Sequence, residues 1–214
     1  PGALAPDAKS PADGYGVGPI AELTGIDLAE RDGDHSPAMR ALPDHPLCAG
    51  LPESMAIAPD DVIANWEDRD EKFQFRQMTY PPRQELRPLF AVRDLAADVF
   101  GHYIDTGEAA MATKQADGFR SIFIGGLTLP AQLLANIAEA AGVHLYCAPG
   151  DVVYTDGQTL SITACTAGRK TLRLPAPAQA TDVHSGETFG CAASFDLALR
   201  LGETRVFRIA RASA

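Results

Sequence analysis

The stretch from Phe119 to Tyr146, FRSIFIGGLTLPAQLLANIAEAAGVHLY, constrains the fold more than any other. Ser121-Ile122-Phe123-Ile124 is a short apolar run with β-branched residues, ended by Gly125-Gly126, which is the pattern of a buried strand. Pro130 suits the first turn of a helix, where its missing N–H leaves nothing unsatisfied, and Thr128 stands upstream as a cap. Leu133, Leu134, Ile137, Ala138 and Ala141 fall on one face at helical spacing, and Gly142 supplies a C-terminal stop. Full burial of Leu133, Leu134 and Ile137 would contribute roughly 1.5–3 kcal/mol each. Val143 to Tyr146 then reads as another strand. The stretch is a strand–turn–helix–strand packing unit, and nothing in it is catalytic.

Its surroundings are read the same way. Ile20–Thr24 predicts a short helix stopped at Gly25, with a strand beginning at Ile26–Leu28. Residues 31–54 are crowded with Pro, Asp, His and Gly and read as irregular. Leu89–Val92, Val99–Tyr103 and Ala109–Thr113 read as strands, with turns at Asp105–Glu108 and Lys114–Gly118. After Tyr146 come short β-prone runs: Val152–Tyr154, Leu160–Thr163, Thr171–Leu174, Thr181–Val183, Phe195–Leu199 and Arg205–Ile209. Turn pairs such as Asp156-Gly157 and Ser185-Gly186 separate them, and strands at roughly 8–12-residue spacing predict a small antiparallel sandwich. The domain boundary is placed at Ala148-Pro149-Gly150, dividing residues 1–148 from 149–214.

Charge excludes some partners. A net charge of −10 lacks the basic face that nucleic acid or an anionic membrane surface requires. No apolar run approaches the ~20 residues of a membrane span, and no signal peptide is read. Cys48, Cys147, Cys165 and Cys191 match no zinc or redox spacing; they read as small buried hydrophobes, which fits a reducing compartment. Pro1-Gly2-Ala3-Leu4 reads as a chain entered mid-structure, the mark of a fragment or processed piece.

Several residue sets invite a chemical reading and do not sustain it. Asp13-Gly14-Tyr15-Gly16-Val17-Gly18 is glycine-rich but lacks the preceding strand, the spacing and the acidic partner of a dinucleotide site. His35 and His45 lie among Asp32, Asp34 and Asp44 without a spacing that fixes metal ligands. No cofactor or metal is therefore expected. Trp66, Phe73, Phe75 and Tyr80 are aromatics in an irregular segment, the candidate residues for contact with a sugar.

The run GHYIDTGEAAMATKQADGFRSIFIGGLTLPAQLLANIAEAAGVHLY, with DVVYTDG, TLRLP, VHSGET and LRLGETRVFRI after it, resembles the C-terminal part of bacterial β-galactosidase-like glycoside hydrolases of family 42 and its relatives. The resemblance covers about residues 19–210, most specifically 98–209. It implies a glutamine-amidotransferase-like α/β "trimerisation" domain over 1–148, N-terminally truncated, followed by a small antiparallel β-sandwich over 149–214. It implies also that the catalytic glutamates lie in an upstream (β/α)8 barrel. The truncated sheet should then have an exposed edge.

Chemistry within the chain is weak on this reading. An amidotransferase needs a nucleophilic Cys at a strand–helix elbow, and none of the four cysteines has that setting. A retaining glycosidase needs two carboxylates about 5–5.5 Å apart, and Asp105, Glu108, Glu85 and Glu139 are available only as any acidic chain offers them. Glu139 lies off the apolar stripe of its helix and reads as solvated. His102 and His144 read as hydrogen-bonded core or interface residues. The expectation is a non-catalytic assembly module, homo-oligomeric through the α/β domain (a trimer in the family's pattern) and shaping one wall of a neighbouring active site. A stand-alone carbohydrate-binding module using the exposed aromatics is the alternative, and a self-sufficient hydrolase is a third.

Overall fold

A computed structural model of the chain describes residues 17–31, 33, 35–51, 56–57, 88–126 and 129–211. It is a mixed, strand-rich fold with mostly antiparallel sheets, divided into two compact units, residues 1–130 and 131–214. The boundary read after Ala148 lies inside the second unit.

The first unit opens with α1 (Gly18–Thr24), which Gly25 ends as expected. Gly25 adopts φ 69°, a left-handed conformation suited to glycine, and its N–H donates to Ala21 O at 2.7 Å. Strand β1 (Leu28–Glu30) pairs with β4 (Phe90–Val92) in a two-stranded ribbon. A five-stranded sheet holds β2 (Met39–Ala41), β3 (Ala56–Ile57), β5 (Asp98–Tyr103), β6 (Ala109–Ala116) and β7 (Phe119–Ile124) in the order β3-β2-β5-β6-β7. Ile20, Ile26 and Leu28 pack with Phe90, Val92, Ala112 and Phe123, so ribbon, helix and sheet share one core. Strand β2 falls in the segment read as irregular. Pro37 and Pro43 flank its three residues, and only the alternation of buried Met39 and Ala41 with exposed Arg40 betrays it.

Gly125 closes β7 for a steric reason. A Cβ there would stand 2.0 Å from the Tyr103 hydroxyl. That hydroxyl is buried and donates to Phe90 O at 2.8 Å, with Gly125 O 3.2 Å away. The glycine at the end of the strand is therefore a seat for a tyrosine, which stitches β5 to β4.

In the second unit, α2 (Ala131–Ala140) follows Pro130 as predicted, and Gly142 at φ 76° ends it. Its buried face is turned from the predicted stripe. Leu133, Ala135 and Asn136 are buried while Leu134 is 50% exposed; a buried polar residue, Asn136, lies on the inner face, and its Oδ1 accepts from Gln132 Nε2 at 2.9 Å. The run Val143–Tyr146 is not a strand. Its backbone contributes one bond to a distant strand, from Arg173 N–H to Tyr146 O at 2.7 Å, too little for a ladder.

The remaining strands, β8 (Val152–Thr155), β9 (Thr159–Thr163), β10 (Gly168–Asp182), β11 (Thr188–Leu199) and β12 (Thr204–Arg211), form one sheet in the order β11-β10-β12-β9-β8. The predicted strand 171–174 and the first two residues of the predicted 181–183 strand are parts of β10, and Val183 lies in the turn that follows. Pro175-Ala176-Pro177 follows the first of them, and the pairing with β11 shifts register between Arg173 and Ala178. Proline donates no ladder bond and belongs at such an interruption. The long hairpin also bends there. Phe195 stands opposite Leu172, and Phe207 opposite Asp182, positions about 33 Å apart on a straight strand. Yet the Phe195 and Phe207 rings meet at 5.3 Å, and Phe189 lies 4.6 Å from Phe195 on the same strand. The ribbon folds back on itself, and one continuous sheet covers both sides of a core of Leu160, Ile162, Leu172, Leu197, Leu199 and Phe207. Where the sequence led to the expectation of a sandwich, the described strands form one five-stranded antiparallel sheet.

Every strand pair among the described residues is antiparallel. The amidotransferase-like α/β arrangement is not confirmed by them. The links at 104–108 and 117–118 are hairpin turns, far shorter than the dozen or so residues a parallel crossover takes. No described helix is long and apolar enough to cross a membrane.

Substituting Gly125→Ala should lower stability by about 1–3 kcal/mol through displacement of Tyr103. Urea denaturation of Gly125→Ala, Tyr103→Phe and the double variant tests this. The double variant should lose less than the two single losses added, because both act on one contact.

Candidate functional site

The most developed polar cluster is built around Arg31, directly after β1. Its N–H donates to Leu89 O at 2.9 Å, extending the β1–β4 ribbon, and its side chain is fully buried. The guanidinium lies 3.7 Å from the centre of the Tyr103 ring. Nε donates to Glu108 Oε2 at 2.9 Å, and Nη2 donates to Asp105 Oδ1 and Thr106 Oγ1, each at 2.9 Å. Nη1 donates to Ser36 O at 3.2 Å. The carboxylates are themselves shared: Arg93 Nη2 donates to Glu108 Oε1 at 2.7 Å, and Ser36 N–H to Asp105 Oδ2 at 2.9 Å. His35 Nδ1 stands 3.4 Å from the same Asp105 oxygen.

These contacts set the charge states. The Arg31 guanidinium holds the Glu108 carboxyl below its ordinary range, against a smaller opposing effect of burial. Burial alone would raise Asp105, but the Ser36 N–H and Arg31 outweigh it and the net shift is downward. Burial pushes the Tyr103 phenol up to about 12. Glycoside hydrolysis needs one carboxyl kept protonated as general acid. Here both are held ionised, and the arrangement acts as a clamp rather than an acid–base pair.

A second cluster pins the β10–β11 turn. Asp182 has a buried side chain (1% exposed), and its Oδ1 accepts from the N–H groups of His184 and Ser185 at 2.9 and 2.8 Å. Arg205 Nε donates to Asp182 Oδ2, and Arg205 Nη2 to Glu187 Oε2 at 2.8 Å. Burial would raise the Asp182 carboxyl, but Ser185 N–H, Arg205 and His184 N–H together bring it to about 2.

Of the residues singled out in sequence, Asp105, Glu108 and His35 meet in the Arg31 cluster. Trp66, Phe73, Phe75 and Tyr80 lie outside the described residues, as do Glu85, Asp32, Asp34 and Thr128 and most of the 13–18 glycine run. His45 does not join His35: its Nδ1 accepts from Leu47 N–H at 3.2 Å, and its Nε2 faces Asp98 Oδ2 at 3.2 Å. No His, Cys, Asp and Glu group fit to hold a metal is formed among the described residues. His144 is exposed, its Nε2 3.1 Å from Arg173 O, and Glu139 is exposed as expected. Of the cysteines only Cys48 is buried; Cys147 and Cys165 are partly exposed, and Cys191 is exposed. Burial raises the thiols of Cys48 and Cys147, the reverse of what a nucleophile requires. Arg31 and Asp182 were missed in sequence reading. Arg31 finds its carboxylates 74 and 77 residues away, a proximity no local pattern reports.

The sequence matches no protein-family model, and no curated protein matches it. Solved structures do resemble it in fold. The β-galactosidase from Bacillus circulans sp. alkalophilus aligns with a TM-score of 0.51 at 15% identity, over 90% of this chain and 25% of that one. A GH42 β-galactosidase from G. stearothermophilus, a catalytic mutant, aligns with a TM-score of 0.38 at 18% identity, over 57% of this chain and 19% of its own. The chain therefore spans about a quarter of the length of the first, and the likeness at that identity is one of fold.

Replacing Arg31 with Met should cost about 3–5 kcal/mol, because two carboxylates lose their buried partner; thermal melting of the full chain measures it. Asp182 sets an acid limit. Its folded value of about 2 lies below the unfolded 3.8, so its contribution is complete above pH 3.8 and disappears as pH falls through 2. The shift corresponds to roughly 2 kcal/mol. Chemical denaturation from neutral pH to acid should show Asp182→Asn less stable at neutrality, the gap to the parent narrowing only in that window.

Proposed function

We propose that this chain is a non-catalytic, GH42-related piece of a glycoside hydrolase, serving subunit assembly and shaping one wall of a neighbouring active site. The carrying observation is the asymmetry of the fold likeness: nearly the whole chain aligns with a β-galactosidase, yet it covers only a quarter of that protein. The charge states support the same reading, since Glu108 is shifted down chiefly by Arg31 and Asp105 by the Ser36 N–H together with Arg31. A homo-oligomer, with a trimer as the family's pattern, belongs to this proposal, as do the roles of Trp66, Phe73, Phe75 and Tyr80 as wall aromatics. The amidotransferase-like origin of the first unit rests on the sequence resemblance alone, and the assembly role does not depend on it.

The test is made on the purified 214-residue chain. It should leave a nitrophenyl β-galactoside unhydrolysed and should sediment as an oligomer. Turnover abolished by a single carboxylate substitution would make it a hydrolase in its own right. A monomer that binds galacto-oligosaccharide, and loses that binding in Trp66→Ala, would make it a carbohydrate-binding module.

A further inference from the structure

Two complete Asp-Gly pairs lie at hairpin turns among the described residues, in opposite chemical settings. At Asp156-Gly157, between β8 and β9, the carboxylate Oδ1 accepts from Gln158 N–H at 2.9 Å and Thr159 N–H at 2.6 Å. The Gly157 N–H donates to Thr155 Oγ1 at 3.1 Å. Both groups that would meet in ring closure are engaged elsewhere.

Asp117-Gly118, between β6 and β7, has neither restraint. Its side chain is exposed. Neither its carboxylate nor the Gly118 N–H takes a hydrogen bond among the described residues. Ala116 pairs with Phe119 across the turn. Gly118 has φ 81° and no non-glycine among the described residues has positive φ, so the two-residue loop carries the φ signs of a type II turn. No atom from beyond the adjacent residues lies within 4 Å of where a Gly118 Cβ would stand, so the turn is open at that glycine.

We propose that Asp117-Gly118 is a site of spontaneous isoaspartate formation, at which a protein-repair carboxyl methyltransferase would recognise an aged copy. The Gly118 nitrogen attacks the protonated Asp117 carboxyl carbon, and the new C–N bond closes a succinimide as the carboxyl oxygen leaves with the amide proton as water. Water then adds at the main-chain carbonyl and breaks its C–N bond. The chain now runs through the former side chain, with the formula unchanged and no oxidant or reductant consumed. The turn gains a methylene in its backbone, which a type II geometry does not accommodate without loosening the β6–β7 ladder.

The full chain is aged for weeks at neutral pH and body temperature, digested, and its peptides resolved by chromatography and mass spectrometry. The Asp117 peptide should split into two peaks of identical mass, the new one accepting a methyl group from S-adenosylmethionine through protein L-isoaspartyl methyltransferase. The Asp156 peptide should split many-fold more slowly, and Asp117→Glu should abolish splitting and methyl acceptance in its own peptide. An unsplit Asp117 peptide, or splitting at Asp156 just as fast, overturns the proposal.

Discussion

A guanidinium withdrawn from water is tolerable only when its donors and its charge find partners, and in the first unit that requirement falls on Arg31. Its partners come from the 35–36 segment and from the turn between β5 and β6, while the face of its guanidinium rests on Tyr103. Tyr103 in turn sends its hydroxyl to β4 and needs the glycine that ends β7. One ion therefore fixes the relation of the ribbon to the sheet. The same demand explains why Asp105 and Glu108, a carboxylate pair in a turn, are unfit as an acid–base pair: the arginine that needs them ionised keeps them so.

The second unit solves a different problem. A single sheet buries one face only if something covers it, and here the cover is the sheet's own far half, brought round at Pro175 and Pro177. Two long strands thereby do the work of two layers. Asp182 fixes the opposite end of the hairpin, where its carboxylate holds the turn amides and Arg205 ties that turn to β12.

The sequence disclosed what depends on neighbours along the chain. Alternation and turn residues located β5, β6 and β7; a glycine after an apolar periodicity located the ends of both helices. It failed where the answer is held at a distance. Strand β2 exists because β5 offers an edge, Leu42 N–H reaching Phe100 O at 2.9 Å, and proline-flanked triplets carry little signal of their own. Val143–Tyr146 had strand composition but no partner ladder. The two runs read as separate strands on either side of Pro175 and Pro177 belong to one strand, whose register shifts there. Arg31 carries no local signal, since its burial depends on residues far along the chain. Asp105 and Glu108 were noticed as carboxylates, but their use was invisible without the cation they bind.

The fold-back of β10 and β11 also bears on the order in which the second unit assembles. Phe189 and Phe195 are six residues apart and already in contact within one strand, and the β8–β9 and β10–β11 pairings each join strands adjacent in sequence. These contacts close short loops and so cost the least chain entropy. The pairing of β9 with β12 must instead wait for the whole intervening hairpin. The cost of loop closure in this unit is therefore greatest for the β9–β12 pairing, the strand that brings Phe207 against Phe189 and Phe195.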